Sequence, residues 1–443
     1  MAKKKQIELT IEEKLQNALV SKEEQPYKIP NNWCWTYIHN IAIVVTGKTP
    51  SKKNKEYYGG KFPFFKPADL DAGRNMQYAT EYLSEKGKSI SVIIPEKATG
   101  ICCIGTIGKC GYFLVEGTTN QQINTVISKI NPLYSYYFFN TNSFVRELIS
   151  KASATTIAIV NKSKLESCLF PVAPLNEQQR IVNRIESLFV KLDRAKELIE
   201  NTLAQFKQNK MAILHKAFTG ELTAKWRKEN NIDLSSWKKC ELKEVFKVVK
   251  DKYNPQTENQ IVNYIGLENI ETSKGIISKN NSSEVKSIKT KFKKNDVLYG
   301  KLRPYLNKHD VVNFDGICST DILVFRFNDI NTAKYINYYF NLPMFIQYAV
   351  ENSSGINLPR VSEKTISKYK ISLPTIEEQQ EIVNILDNLL AKYNKIKNLE
   401  QQLEKIELLK KAILAKAFRG ELGTNNPDEE SAENLLKEIL AEK

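Results

Sequence analysis

Residues 177–183 read EQQRIVN and residues 378–384 read EQQEIVN; residues 212–222 read AILHKAFTGEL and residues 412–422 read AILAKAFRGEL. The second pair agrees at nine of eleven positions, and the two offsets are 201 and 200. A weaker match lies upstream. Asn32 and Trp33, with Ile38, Ile41 and Val44, resemble Ser236 and Trp237, with Leu242, Val245 and Val248, at an offset of 204. A period near 200 is too long for a solenoid. It describes two copies of one large unit, each a variable globular segment followed by a similar helical one.

The helical segments carry a seam of apolar residues at steps of three and four. In the second copy it runs through Ile382, Leu386, Leu389, Tyr393, Ile396, Leu399, Leu403, Ile406, Leu409 and Ile413. In the first it runs through Ile181, Ile185, Leu188, Leu192, Ala195, Ile199, Leu203, Phe206 and Ile213, lapsing around Lys207–Lys210. No Pro or Gly interrupts 177–217 or 378–417, while Pro174 and Pro374 stand upstream and Gly220 and Gly420 downstream. Pro before a helix and Gly after it are start and stop signals. Each helix is thus about 40 residues, or ~60 Å, long. Two matched seams in one chain can cover each other as an antiparallel pair; the alternative is a homodimeric coiled coil.

The globular segments have short β-rich runs separated by Gly and Asn turns. In the first these are 41–45, 91–94, 101–104, 112–115 and 123–127, then a helix near 134–151; in the second, 245–249, 296–299, 309–314 and 321–327, then a helix near 332–351. Short helices are expected at 10–20, where Thr10 and Glu13 have capping-box spacing, and at 431–442. The expected architecture is α+β: two globular domains separated by two long antiparallel coiled-coil helices, in a pseudo-twofold internal repeat. The expected boundaries are a tail with a short helix at 1–26, a first globular domain at 27–172, a central helical region at 173–230, a second globular domain at 231–372, and a C-terminal helical region with a tail at 373–443.

A chain of 443 residues with 42% hydrophobic and 26% charged residues has ordinary globular composition. No apolar run reaches the ~18 residues of a membrane span, and none of ~7–15 follows the N-terminal lysines as in a secretory signal. Seven cysteines without a C-x-x-C pair suggest reduced thiols and a cytoplasmic location. The three histidines, His39, His215 and His309, are far apart, leaving little for metal or His-base chemistry. The net charge is +15. Residues 27–170 hold 17 basic against 9 acidic residues, +8, and residues 231–370 hold 22 against 15, +7. Residues 371–443, with 10 against 14, are at −4. Two separate basic segments favour a polyanion, in first place nucleic acid.

No motif reads as an active site. Residues 42–49 end in Gly47-Lys48-Thr49 like a phosphate-binding loop, but β-branched residues replace the flexible glycine-rich turn and Pro50 follows. Gly105-Thr-Ile-Gly108-Lys-Cys-Gly111 lies among strands and reads as a tight β-turn. Asn131-Pro132-Leu133-Tyr134 lacks the second Pro of the Asn/Asp-Pro-Pro-Tyr loop of amino-methyltransferases, and no glycine-rich cofactor loop accompanies it. The binding candidates are more substantial. Lys48, Thr49, Ser51, Lys52, Lys53, Asn54 and Lys55 form a basic polar loop closed by Tyr57, Tyr58 and two glycines. Asn120 and Gln121 follow Gly117. In the second segment Lys301, Arg303, Tyr305, Asn307 and Lys308 surround a turn at Pro304, and Ser319 and Thr320 follow Gly316. Arg pairs with guanine and Asn or Gln with adenine in the major groove, while Lys and hydroxyls mostly hold phosphates.

In order and spacing these features resemble the specificity (S) subunit of Type I restriction–modification enzymes, over nearly the whole chain. The resemblance rests on Ile29-Pro-Asn-Asn-Trp33, Thr46-Gly-Lys-Thr-Pro-Ser51 with Tyr57-Tyr-Gly-Gly60, Lys301-Leu-Arg-Pro304 and Gly316-Ile-Cys-Ser-Thr-Asp321. It rests also on the two Glu-Gln-Gln motifs and the paired Ala-Phe-x-Gly-Glu-Leu ends. It implies two target-recognition domains, each reading half of an asymmetric bipartite site in double-stranded DNA. The helices would space the halves and dock two modification subunits. It implies no catalysis and no cofactor in this chain: S-adenosylmethionine belongs to the modification subunits, and ATP with Mg²⁺ to the restriction subunits. The residues alone leave open a non-catalytic coiled-coil scaffold with basic domains and a degenerate stand-alone DNA methyltransferase.

Overall fold

The computed structural model describes residues 9–153, 157–258, 260–272, 274–394 and 397–442, without the side chains of 284, 390, 392–394, 397 and 398. The chain forms two units. The first comprises residues 1–198 and 401–443, the second residues 199–400. Each unit takes in one end of each helical region, and the first is built from two separate stretches of the chain.

In the first unit a four-stranded antiparallel sheet has the order Ala42–Thr46, Ile123–Ser128, Thr99–Cys102, Cys110–Tyr112. A second sheet orders Glu81–Leu83, Tyr58–Phe65 and Thr118–Thr119. Strand Cys34–Tyr37 pairs antiparallel with Leu169–Val172, whose end leads through Pro174 into the long helix Leu175–Thr219. The second unit repeats the plan. Its four-stranded sheet orders Phe246–Val248, Ile322–Phe327, Val297–Gly300 and His309–Val311. Its other main sheet has five strands, Lys252–Tyr253, Lys289–Phe292, Gly316–Cys318, Asn263–Ile265 and Asn280–Asn281. Lys238–Glu241 pairs with Lys370–Leu373 ahead of helix Ile376–Asn394.

Two expectations need correction. Residues 91–94 form no strand; Ile94 alone bridges Gly117. Each single helix expected after the strands is a pair: Pro132–Phe139 with Asn142–Ser150, and Ile330–Tyr339 with Pro343–Glu351. The breaks have local causes. Thr141 turns extended and caps the second helix, its hydroxyl accepting from the Phe144 amide at 3.3 Å. In the other copy Pro343 opens the second helix, and a proline ring restricts the residue before it to extended backbone. The capping box of Thr10 and Glu13 is formed at helix Ile11–Ala18, and Ala432–Ala441 is helical.

The long helix has 45 residues, about 68 Å at 1.5 Å per residue. The second helical region is helical over Ile376–Asn394 and Lys397–Ala417; Ile396 and the side chain of Tyr393 lie outside the described residues. In the first unit the helices run antiparallel: Asp193 pairs with Lys410, and Lys196 with Glu407 at 3.0 Å. One number rises as the other falls. The seam itself departs from the expected stripe at Leu409, which is 50% exposed. Lys410 takes the inward position, its ammonium 5.3 Å from the centre of the Phe189 ring. A lysine stem can cover apolar surface while its head reaches a carboxylate.

The ends of the helices belong to the domain cores. Ile181, Val182 and Ile185 are buried with Leu414, Ala417 and Phe418 in the first unit. Ile382, Val383 and Leu386 are buried with Leu214 and Ala217 in the second. Phe418 packs 4.9 Å from Tyr134 and 5.2 Å from Phe138, and Phe218 packs 5.1 Å from Tyr335 and 4.9 Å from Tyr339. Gly220 and Gly420 then turn the chain at φ +82° and +75°, as left-handed caps. The repeated Ala-Phe-x-Gly-Glu-Leu is therefore a plug that seats each helix end on a globular domain.

Candidate nucleic-acid interface

The other repeated motif, Glu-Gln-Gln, is also internal. Glu177 is fully buried and accepts from the Trp33 indole at 2.8 Å; Glu378 is fully buried and accepts from Trp237 at 2.9 Å. Gln178 donates to the Ala173 carbonyl at 2.8 Å and accepts from the Asn131 amide at 3.0 Å. Gln379 donates to Pro374 at 2.7 Å and accepts from the Thr332 hydroxyl at 2.7 Å. These bonds fix the first turn of each helix to its own domain. Only the third residue of each motif, Gln179 and Gln380, reaches the surface.

The candidates in the variable loops are presented differently. In the first unit the Thr46–Ser51 stretch and the Gly117–Gln122 stretch come together. The Lys48 amide donates to the Thr119 carbonyl at 2.9 Å, the Thr46 hydroxyl to Asn124 at 2.7 Å and the Thr49 hydroxyl to the Gln121 side chain at 2.6 Å. Gly47 permits this approach, since a Cβ there would lie 2.2 Å from the Thr119 hydroxyl oxygen. Pro50 is held from the far side by the Tyr58 hydroxyl at 2.6 Å, and Asn54 caps the turn Lys55–Tyr57. A loop anchored at both ends thus carries Lys48, Ser51, Lys52, Lys53 and Lys55 outward, with Gln121 exposed beside it. Asn120 does not join them. It is 8% exposed, and its carboxamide binds the side chain and backbone of Gln122.

In the second unit the Lys301–Lys308 turn and the Ser319–Asp321 stretch also meet: the Lys301 amide donates to the Asp321 carbonyl at 2.8 Å. Arg303 sits at φ +52° with its amide on the Pro359 carbonyl at 2.8 Å and its side chain exposed. Tyr305 is 53% exposed and Thr320 is exposed. Ser319 is half-buried and accepts from the Asp321 amide at 3.3 Å. Lys308 spends its ammonium on the Leu267 carbonyl at 2.7 Å. Asn307 is interior, 7% exposed, with its amide shared between the Phe340 carbonyl and His309, each at 3.0 Å. His309 is in turn bound to Asn337 at 2.6 Å, and burial pushes its pKa down to about 4. Asn120 and Asn307 are therefore buried supports of these loops and do not face outward to a base.

The glycine-rich turn at Gly105 and the turn at Arg303 occupy the same place in the two units. Ile104 bridges Ile159 as Leu302 bridges Arg360, and the Val160 amide meets the Cys103 carbonyl as that of Val361 meets Lys301. Gly105 has φ +80° where Arg303 has +52°. In sequence the two look unrelated, one a turn and the other a binding loop. A further candidate that the motifs did not single out is the Lys- and Asn-rich run from Lys279 to Lys289, which lines a concavity of about 700 Å³ with Tyr264 and Glu268. The unusual density of Lys, Asn and Ser there was the available signal.

Among the described residues no group of three or more His, Cys, Asp or Glu is placed to hold a metal. All seven cysteines are buried and unpaired. Burial raises the thiols of Cys34 and Cys318 to about 12 and that of Cys103 to about 11, which suppresses the reactive thiolate. No helix among the described residues is long and apolar enough to cross a membrane.

The comparisons with known proteins agree with this two-unit pattern. Residues 30–205 and 235–408 each match the Type I restriction modification DNA specificity domain. The chain is 25% identical over 452 residues to the EcoDI specificity subunit of Escherichia coli, covering 94% of this chain and 96% of that one. It is 26% identical to the EcoKI specificity subunit of Escherichia coli strain K12, with the same two coverages. It is 24% identical to the MjaIX specificity subunit of Methanocaldococcus jannaschii, covering 90% and 96%. In fold it matches a chain from a Type I restriction–modification system studied for complex assembly, with TM-score 0.68, 17% identity and coverage of 89% and 100%. It also matches the HsdS subunit of Thermoanaerobacter tengcongensis, with TM-score 0.56, 18% identity and coverage of 90% and 99%. With two copies of its defining domain spread over most of its length, the chain belongs to the Type I restriction–modification DNA specificity family.

Proposed function

We propose that this chain is the sequence-reading subunit of a Type I restriction–modification complex, without catalysis of its own. Each unit reads one half of an asymmetric, bipartite site in double-stranded DNA. The helices set the spacing and dock two modification subunits, and restriction subunits complete the assembly. S-adenosylmethionine would then act in the modification subunits, and ATP with Mg²⁺ in the restriction subunits. The observation that carries this reading is the contrast inside each unit. The buried residues of the repeated motifs act as structural locks, while turns that share a fold position, at Gly105 and at Arg303, differ in chemistry. Two frames that present different side chains suit two unlike half-sites. Membership of the family disfavours both a general scaffold and a stand-alone methyltransferase.

The test is a map of methylated bases in the host genome with and without this gene. Loss of one split motif, two short specified halves around a fixed gap, is the expected result. An unchanged map in cells that make the modification subunits would overturn the proposal.

A further inference from the structure

The second unit has a surface that the first has closed. In both units a strand runs parallel to the strand that ends at the candidate loops: Tyr58–Phe65 beside Thr118–Thr119, and Asn263–Ile265 beside Gly316–Cys318. On its other side each carries an antiparallel edge strand. In the first unit Phe64 faces Glu81 and Pro63 faces Tyr82; in the second Tyr264 faces Asn280 and Asn263 faces Asn281.

The first unit covers this edge. Phe62, Phe64 and Leu83 form a small buried cluster beside helix Glu85–Ser89. Three cations around it are paired, Lys66 with Glu81, Lys86 with Glu56 and Lys88 with Glu116, while Lys61 on the central strand is exposed. The second unit leaves the edge open. Lys279, Asn280, Asn281, Lys286 and Ser287 are exposed around the concavity, and Tyr264 forms part of its lining. Neither Lys279 nor Lys286 has a carboxylate partner among the described residues. Lys279 lies 4.7 Å from the Phe314 ring centre and Lys289 lies 5.9 Å from that of Tyr264. The Asn281 oxygen is occupied by the Ser283 amide at 3.0 Å, which orients its NH₂ group without using it.

A native sheet normally blunts such an edge or covers it. An open one bearing carboxamides, unpaired lysines and an aromatic ring has the donor chemistry of a base-reading surface ringed by phosphate contacts. We propose that the second unit meets its half-site with this edge: Asn280 and Asn281 face base edges, and Lys279, Lys286 and Lys289 hold the flanking phosphates. Glu268, the one carboxylate in the described lining, would accept from a base amino group, as a carboxylate does from cytosine. The loop at Lys301 and Arg303 then borders this surface rather than forming its centre. The proposal rests on the reading of the chain as a DNA specificity subunit.

The test selects a randomised duplex library with the full chain in complex with modification subunits. It compares the wild type with Asn280→Ala/Asn281→Ala and with Lys279→Ala/Lys286→Ala. All four positions are exposed, and the first half-site serves as internal control for folding. The asparagine pair is expected to erase specified bases in one half only, with discrimination there falling about 10- to 100-fold and the salt slope unchanged. The lysine pair is expected to keep both halves and to lower the slope of log affinity against log salt by about 2. A wild type that enriches no split motif would overturn the specificity reading, and this surface with it. A wild type that enriches two halves, beside variants that match it in motif and slope, would overturn this surface alone.

Discussion

Glu177 and Glu378 are the same residue of the repeat, equally buried and each bound to a tryptophan indole, yet they are set in different surroundings. Around Glu378 stand the Arg227 guanidinium, 9% exposed at its side chain, and the Thr223 hydroxyl at 2.6 Å. Around Glu177 stand the Asn425 amide at 2.9 Å and the Thr424 hydroxyl at 3.4 Å. The cation nearby, Arg180, turns to Glu429 in a two-pronged pair at 2.7 Å. One lock is an ion pair and the other a cage of neutral donors. A repeat therefore preserves the anchor and lets its complement drift, provided that every buried polar group stays satisfied.

The largest effect should come from breaking that asymmetry. Glu378→Gln removes the charge opposite Arg227 and leaves a buried cation unpaired, for a loss of about 3 kcal/mol or more in unfolding by denaturant. Glu177→Gln keeps an oxygen for Trp33 and Asn425 and can turn its NH₂ to the Thr424 hydroxyl, so its loss should be about 1 kcal/mol. Adding Arg227→Met to Glu378→Gln should recover most of the larger loss, because the pair is then absent rather than broken. Equal losses for the two glutamine variants would mean that the locks are equivalent despite their partners.

A second difference lies where the fourth strands of the larger antiparallel sheets begin. His309, opposite Tyr299, stands where the first unit has Cys110, opposite Ile101. Burial lowers the histidine from 6.5 to about 4, so the folded state holds it neutral. The unfolded chain takes up a proton near pH 6.5 and the folded chain only near 4. The stabilisation is thus complete above pH 6.5, falls as pH drops through that window, and is gone below about 4. Its span is on the order of 3 kcal/mol, since each pH unit between the two values contributes about 1.4 kcal/mol. His309→Gln should flatten stability between pH 6.5 and 4 in a denaturant series. Burial raises the Cys110 thiol, so that group is neutral throughout the same range and adds no such slope.

These contrasts mark how far the sequence could be read. The duplication, the two helices and their stop signals were visible because they follow from periodicity and from Pro and Gly, which act locally. The α+β class and most strand runs were visible for the same reason. The discontinuous first unit was not, since Phe418 seats on Tyr134 through packing between residues almost 300 positions apart. The inward role of Asn120 and Asn307 was hidden too, because an exposed asparagine and one that braces a turn have the same composition. The equivalence of Gly105 and Arg303 needed backbone geometry, as glycine reaches φ > 0 freely and arginine shows no such preference.

That last equivalence gives the smallest and sharpest comparison. Nothing lies within 4 Å of a Cβ built on Gly105, so Gly105→Ala meets only the cost of a left-handed backbone, about 1 kcal/mol. Arg303 already bears that cost, and Arg303→Gly should relieve it and stabilise the second unit by up to about 1 kcal/mol. A strained arginine kept with its side chain exposed is consistent with a use for that side chain. If Arg303 borders the DNA, the glycine variant will be more stable and bind less tightly. If it is merely a turn residue, stability will rise with affinity and motif unchanged. Replacing Lys301 and Arg303 together by Ala sharpens the question. Second-half recognition and affinity left intact by that double substitution would remove this turn from the interface, and any loss confined to the second half would keep it there.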